Sequence, residues 1–190
     1  MFVMGIDPGL SRLGYGIVTR TNHGYRATAA GILTTSLEID LPCRLAIMSA
    51  DLRALFEDFR PSVVVVERVF FQVNAKTAMS VGQASGLALA TAAANGIEVH
   101  QFTPNEVKLA VAGNGAASKS EVATMVGKLL GVDQLPKQPD AIDALALAIC
   151  YLGSAKLQGA IKSALAKPPT PRSWSIQKVA RDKVDLGDKS

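Results

Sequence analysis

A chain of 190 residues that is 48% hydrophobic is long enough for one domain with a full core and short for two, and no apolar run approaches the ~20 residues that span a bilayer. The net charge of +4 is unevenly placed: from Gly153 onward eight Lys/Arg face three Asp, a net of +5, so residues 1–152, with 12 basic and 13 acidic residues, carry −1. This excludes a uniformly basic domain that coats nucleic acid, and any DNA contact by the core has to come from local patches. The start, Met1 to Gly5, lacks a basic segment and reaches Asp7 at once, so it does not read as a signal peptide. Cys43 and Cys150 lie in apolar surroundings without CxxC spacing and read as two reduced core thiols of a cytoplasmic protein. His23 and His100 have no zinc-type neighbours.

Phe2–Asp7 is a short apolar run stopped by Pro8-Gly9, which predicts a buried strand ending in a turn. Gly14–Arg20 and Tyr25–Thr34 are two further strands, joined by the hairpin turn Thr21-Asn22-His23-Gly24. Over Pro42–Phe59, apolar residues recur at helical spacing (Leu45, Met48, Leu52, Leu55, Phe56, Phe59) until Pro61 intervenes. Val63–Val66 is continuous and β-branched, as in a central parallel strand, and it ends in Glu67-Arg68. Asn74–Asn95 predicts a helix rich in small residues, with Gly96 as its stop, and Ile97–Phe102 a strand. Thr103-Pro104-Asn105-Glu106 and Ser118-Lys119-Ser120-Glu121 are capping boxes that start two helices around a Gly-rich break. A last helix is predicted from about Pro139 to Leu152. The order βββαβαβααα gives an α/β fold, a mixed sheet flanked by helices on both faces, over residues 1–155. Residues 156–190, with Lys167-Pro168-Pro169-Thr170-Pro171, are expected to form a basic tail with little fixed structure.

Four acids stand out. Asp7 and Glu67 each close an apolar strand, and carboxyl ends of parallel strands are where ligands gather in such sheets. Asp140 and Asp143 are spaced i, i+3 on the first turn of a very apolar helix, so they share one face and Asp143 is expected to point inward. Each has a plainer reading, as a solvated strand end or as an acid complementing a helix dipole. If the four converge they repel, and a divalent cation resolves that; oxygen-only ligands suit Mg²⁺ or Mn²⁺. Two such ions about 4 Å apart clamp the oxygens of a phosphoryl displacement.

Taken in order, Gly5-Ile6-Asp7-Pro8-Gly9 through Gly16, Val66-Glu67-Arg68-Val69-Phe70-Phe71, Gly82-Gln83-Ala84-Ser85-Gly86, Val107–Gly115 and Asp140-Ala141-Ile142-Asp143 through Ile149 resemble the bacterial RuvC family over roughly Met1 to Leu152. The resemblance implies a ribonuclease-H-like fold and a homodimeric endonuclease that cuts four-way (Holliday) DNA junctions symmetrically, leaving 5′-phosphate and 3′-hydroxyl ends. It carries the metal-ligand role, with two Mg²⁺ per site and Mn²⁺ as an alternative, onto Asp7, Glu67, Asp140 and Asp143. It carries catalytic and DNA-contact roles onto Lys108 and Lys119, and junction stacking onto Phe70; Arg12, Arg68 and Lys76 are further candidates for phosphate contact. Phe71 beside Phe70 is the alternative stacking residue. The branch-migration proteins RuvA and RuvB are implied as partners. The helix from Ala78 to Ala94 matches the region of the family's dimer contact.

Two other readings stay open on the residues alone. A phosphotransferase of the actin and sugar-kinase class shares the strand-Asp-x-Gly opening, but needs two such domains. A non-catalytic junction-binding module, or a relative acting on RNA, would keep the fold; four acids without a metal make a poor phosphate binder. The tail's charge generates a test of its own. Truncation at Ala155 is expected to weaken nonspecific DNA binding at low salt and to leave it unchanged at high salt; equal binding of both forms at low salt would refute this.

Overall fold

The computed structural model describes residues 1–68 and 75–165. In chain order the elements are β1 (Phe2–Asp7), β2 (Arg12–Thr21), β3 (Gly24–Thr34), α1 (Leu41–Phe59), β4 (Val63–Glu67), α2 (Ala75–Ala94), β5 (Glu98–Phe102), α3 (Pro104–Ala112), α4 (Lys119–Leu130) and α5 (Pro139–Leu165). The strands form one sheet in the order β3-β2-β1-β4-β5, antiparallel across β3-β2-β1 and parallel across β1-β4-β5. No helix among the described residues is long and apolar enough to cross a membrane.

Strand alternation splits the core into two layers. Met4, Ile6, Leu13, Ile17, Val64 and Val66 face α1 and α2, where Met48, Leu52, Phe56, Ala88 and Ala92 complete one cluster. Val3, Val18, Val63 and Val65 face the other way, against α3, α4 and the apolar stretch Leu145–Leu152 of α5. The all-valine run of β4 follows from this, because a strand covered on both faces has no polar side.

Helix α5 approaches the sheet over glycines. A Cβ at Gly5 would lie 1.9 Å from the Ala144 carbonyl oxygen, at Gly14 2.1 Å from that of Asp140, and at Gly16 2.7 Å from the Leu145 nitrogen. Gly5 pairs with Gly16, and Gly14 pairs with Asp7, across the β1–β2 ladder. The hairpin therefore presents a strip without side chains, and α5 lies in it.

Two expectations are corrected. Helix α5 continues to Leu165 and does not stop near Leu152, so the first part of the predicted tail is helical. Ala155–Leu165 is made largely of good helix formers and has no proline, which favours continuation even past the sheet. Cys43 is exposed on the first turns of α1 and only Cys150 is a buried thiol; both are free. The apolar face of α1 is carried by Met48, Leu52 and Phe56, and position 43 lies off it.

The glycine strip is testable. Gly14→Ala is expected to destabilise the protein by about 1–3 kcal/mol in urea unfolding, since its Cβ meets backbone that cannot swing aside. Gly153→Ala lies in the same helix and meets only the Tyr25 hydroxyl at 3.6 Å. It is expected to be neutral or stabilising, by up to ~1 kcal/mol.

Candidate active site

Ile6 of β1 lies beside Val66 of β4 in parallel register, so Asp7 and Glu67, the next residues, leave the sheet side by side. Strand alternation turns both toward the face that carries α5, because Val3 and Gly5 of β1, and Val63 and Val65 of β4, face it too. Asp143 reaches the same place from the first turns of α5. Asp7, Glu67 and Asp143 line one crevice together with Lys108 of α3 and Lys119 of α4. Its remaining wall is apolar: Pro104, Val107, Val122, Ala146 and Leu147.

Both lysines are fixed by capping. The Thr103 hydroxyl accepts from the Glu106 N–H, and the Glu106 carboxylate accepts from the Thr103 N–H at 2.7 Å, so α3 starts at a defined point and Lys108 follows one turn later. Ser118 and Glu121 repeat the box on α4, which places Lys119 at its first position. Lys119 Nζ donates to Asp143 Oδ2 at 2.7 Å. That bond raises the Lys119 pKa above its ordinary value, against the opposing effect of burial.

Among the described residues Asp7 and Glu67 form no ion pair. Burial first, then the charges of Glu67, Asp143 and Asp140, push the Asp7 carboxyl up to about 7, with Lys119 opposing. Glu67 is also raised, by burial and then by Asp143, against Lys119 and a hydrogen bond with Asp7.

Asp140 is placed differently. It stands half-exposed at the start of α5, where its Oδ2 accepts from Arg12 Nε at 2.9 Å and lies 2.9 Å from Arg12 Nη2 in an ion pair, and it is not part of the crevice wall. Arg68 is exposed beside Glu67, and its positive charge contributes to lowering the Glu106 carboxyl, after that group's hydrogen bonds to Thr103. Phe70 and Phe71 lie outside the described residues, as does the side chain of Lys76.

Sequence reasoning missed three residues behind Asp7. Arg44, Thr35 and Ser11 tie the β1–β2 turn to β3 and α1 through hydrogen bonds. Their types carry no distinctive spacing, and only the fold brings them together.

The donors in and beside the crevice are carboxylate oxygens with no His or Cys among them, a set that fits a hard divalent cation. The raised carboxyls, and a lysine ammonium already held against one of them, fit the same group. Among the described residues no three acids are gathered into a ready-made cage, and one oxygen each of Asp143 and Asp140 is occupied by a basic side chain.

A mixed five-stranded sheet with helices on both faces, and acids converging from two adjacent strand ends and a crossing helix, defines a nuclease of the ribonuclease-H-like class. The crossover junction endodeoxyribonuclease RuvC family matches residues 3–151, and the chain belongs to that family. It is 43% identical over 167 residues to the crossover junction endodeoxyribonuclease RuvC of Syntrophomonas wolfei, covering 88% of this chain and 97% of that protein. The solved structure of Thermus thermophilus RuvC superposes with a TM-score of 0.77 at 35% identity, covering 83% of this chain and 97% of the other. The same protein in complex with a Holliday junction substrate gives 0.75 at 33% identity, covering 83% and 96%.

The raised Asp7 carboxyl has a signed consequence. A carboxyl held up in the folded state binds its proton more tightly there than in the unfolded chain. Its ionisation therefore costs stability as pH rises from the ordinary 3.8, and the full cost is present above about 7. Three pKa units correspond to on the order of 4 kcal/mol. Without divalent ions, Asp7→Asn is expected to melt several degrees above the wild type at pH 8, the gap closing toward pH 4. Mg²⁺ is expected to narrow it at pH 8 by stabilising the wild type alone. Thermal unfolding measures this, and a variant melting below the wild type at pH 8 would refute the raised Asp7 carboxyl.

Proposed function

We propose that this crossover junction endodeoxyribonuclease resolves four-way DNA junctions in recombination and repair by metal-dependent hydrolysis of one phosphodiester per active site. The observation that supports this most is the convergence of Asp7, Glu67 and Asp143, from three separate elements, in one crevice with Lys108 and Lys119. Asp7, Glu67, Asp143 and Asp140 are the proposed metal ligands, with Asp140 recruited from its pair with Arg12. Two Mg²⁺ ions, or Mn²⁺ in their place, would supply Lewis acidity for in-line attack of water on phosphorus, leaving 5′-phosphate and 3′-hydroxyl ends.

The chain's own residues divide the remaining work. Lys119 holds Asp143 in the free protein and is poised at the crevice mouth to meet a phosphate oxygen. Lys108, half-buried in the same wall, orients the backbone or stabilises the charge that develops on it. Arg12, about half exposed, and Arg68 and Lys76 are proposed phosphate contacts that set register rather than read sequence. Phe70 is proposed to stack on an unpaired base at the junction, worth ~1–3 kcal/mol.

Symmetric cleavage needs two sites, and the proposed assembly is a homodimer through α2. Its outer face carries Met79, Gly82, Gly86, Ala90 and Ala93, exposed and uncharged, and a Cβ at Gly82 or Gly86 would meet nothing within 4 Å. Such a face permits close helix approach. RuvA and RuvB are proposed as the branch-migration partners, and the cytoplasm as the place of action.

Incubation of a synthetic four-way junction with the protein and Mg²⁺ or Mn²⁺ is expected to give paired symmetric nicks that are lost in EDTA, with linear duplex and RNA–DNA hybrid uncut. Asp7→Asn is expected to abolish the nicks and leave junction binding intact. Cleavage of the hybrid in preference to the junction would reassign the substrate.

A further inference from the structure

The turn between β1 and β2 carries Asp7 at its entry and Arg12 at its exit, and it is tied down from behind. Arg44, half-buried on α1, donates from Nη2 to Ser11 Oγ at 2.7 Å and from Nε to Thr35 Oγ1 at 3.0 Å. The Thr35 hydroxyl, itself buried, donates to the Leu10 carbonyl at 2.6 Å, and the Thr35 N–H donates to the Ser11 carbonyl at 3.2 Å. Three acceptor groups on two consecutive residues, the Leu10 carbonyl and the Ser11 carbonyl and hydroxyl, are thereby held by two residues outside the turn. Gly9 closes the turn so tightly that a Cβ would lie 2.3 Å from the Arg12 carbonyl oxygen, so the turn has little room to rearrange there.

Arg44 is an unusual choice for a purely structural tie. Among the described residues it forms no salt bridge to an acid, and its guanidinium donates to two hydroxyls. A half-buried guanidinium with neutral partners gives up hydration without gaining a counter-charge. What it obtains is direction: the planar fork fixes two hydroxyls relative to each other, which a lysine cannot do.

We propose that Arg44 and Thr35 are positioning residues for the phosphodiester cleavage. They fix the β1–β2 turn so that the Asp7 carboxylate and the Arg12–Asp140 pair hold the spacing a divalent cation requires. This rests on the metal-ion reading of the crevice. Neither residue touches the reacting atoms. Their bonds go to each other and to Leu10 and Ser11, so they act on Asp7 through the turn that carries it; loss of a group bonded directly to a metal ligand lowers metal affinity or activity about 10–100-fold, which sets the scale.

The test compares wild type, Arg44→Gln, Arg44→Lys, Thr35→Val and Thr35→Ser in the full-length protein. Mn²⁺ affinity is measured without DNA by electron paramagnetic resonance, junction affinity in EDTA, kcat and KM on a four-way junction, and Tm. Arg44→Gln and Thr35→Val are expected to weaken Mn²⁺ binding and to lower kcat about tenfold or more, with junction affinity in EDTA unchanged. Thr35→Ser keeps the hydroxyl and is expected to restore both, and Arg44→Lys to fall between. Lowered Tm with Mn²⁺ affinity and kcat at wild-type values would make the cluster a fold-stabilising tie and overturn the proposal. Lost junction affinity in EDTA with normal kcat at saturation would make Arg44 a phosphate contact and overturn it too. If the wild type itself binds no Mn²⁺, the metal-ion reading fails and this proposal with it; if the wild type binds and the variants match it, this proposal alone fails.

Discussion

The distance between α5 and the β1–β2 hairpin governs most of what this protein can do. At Gly5 a single methyl group would stand 1.9 Å from the Ala144 carbonyl oxygen, so the helix backbone lies on the strand backbone with no side chain between them. That contact brings the first turns of α5, with Asp140 and Asp143, to the strand ends that carry Asp7 and Glu67. A helix seated on ordinary side chains would stand several ångströms further out, near the usual ~10 Å layer spacing, and its acids would not reach the strand ends. The glycines at 5, 14 and 16 are therefore part of the site's construction, although none of them bears a functional group.

Close packing also sets the electrostatics. A carboxylate at the end of a buried strand, with an apolar helix across it, is short of water and near others of its kind, and Asp7 is raised to about 7 as a result. Lys119 offsets part of this through Asp143, and Arg12 takes up Asp140 on the surface side. Exposed pairs of that sort contribute little to stability, roughly 0–1 kcal/mol each. Their importance is in charge balance, because each keeps a basic group beside an acid until a stronger cation competes for it. An Asp7 carboxyl raised in this way opposes folding when it ionises in the free protein, a relation common between an active site and the stability of its scaffold.

Much of this was legible in the sequence, for physical reasons that differ between elements. The capping boxes at Thr103 and Ser118 name their own helix starts, because the reciprocal hydrogen bonds are local. The valine run of β4 declared a strand covered on both faces. The acids were found because charge at the end of an apolar run is costly enough to need a reason. The length of α5 was not legible, since composition past Leu152 is compatible with helix whether or not there is a sheet to pack on. Cys43 was misplaced because an apolar neighbourhood in sequence does not fix which side of a helix a residue occupies. Arg44, Thr35 and Ser11 were invisible for a third reason: their bonds span 9 to 33 residues and depend on three elements meeting, so no spacing rule finds them.

The apolar wall of the crevice links the packing to the chemistry. Val107, Val122, Ala146 and Leu147 belong to the same layer that buries α5, and they face the acids simply because the core continues to the sheet edge there. Low-dielectric walls strengthen every interaction between charges they enclose, repulsive or attractive. In the free protein that raises the carboxyls. With a phosphodiester in place, the same walls would strengthen the hold of Lys108 and Lys119 on the developing charge and keep bulk water from screening it. The low-dielectric wall that raises the carboxyls in the free protein is thus the same one that would strengthen attraction to a bound phosphodiester.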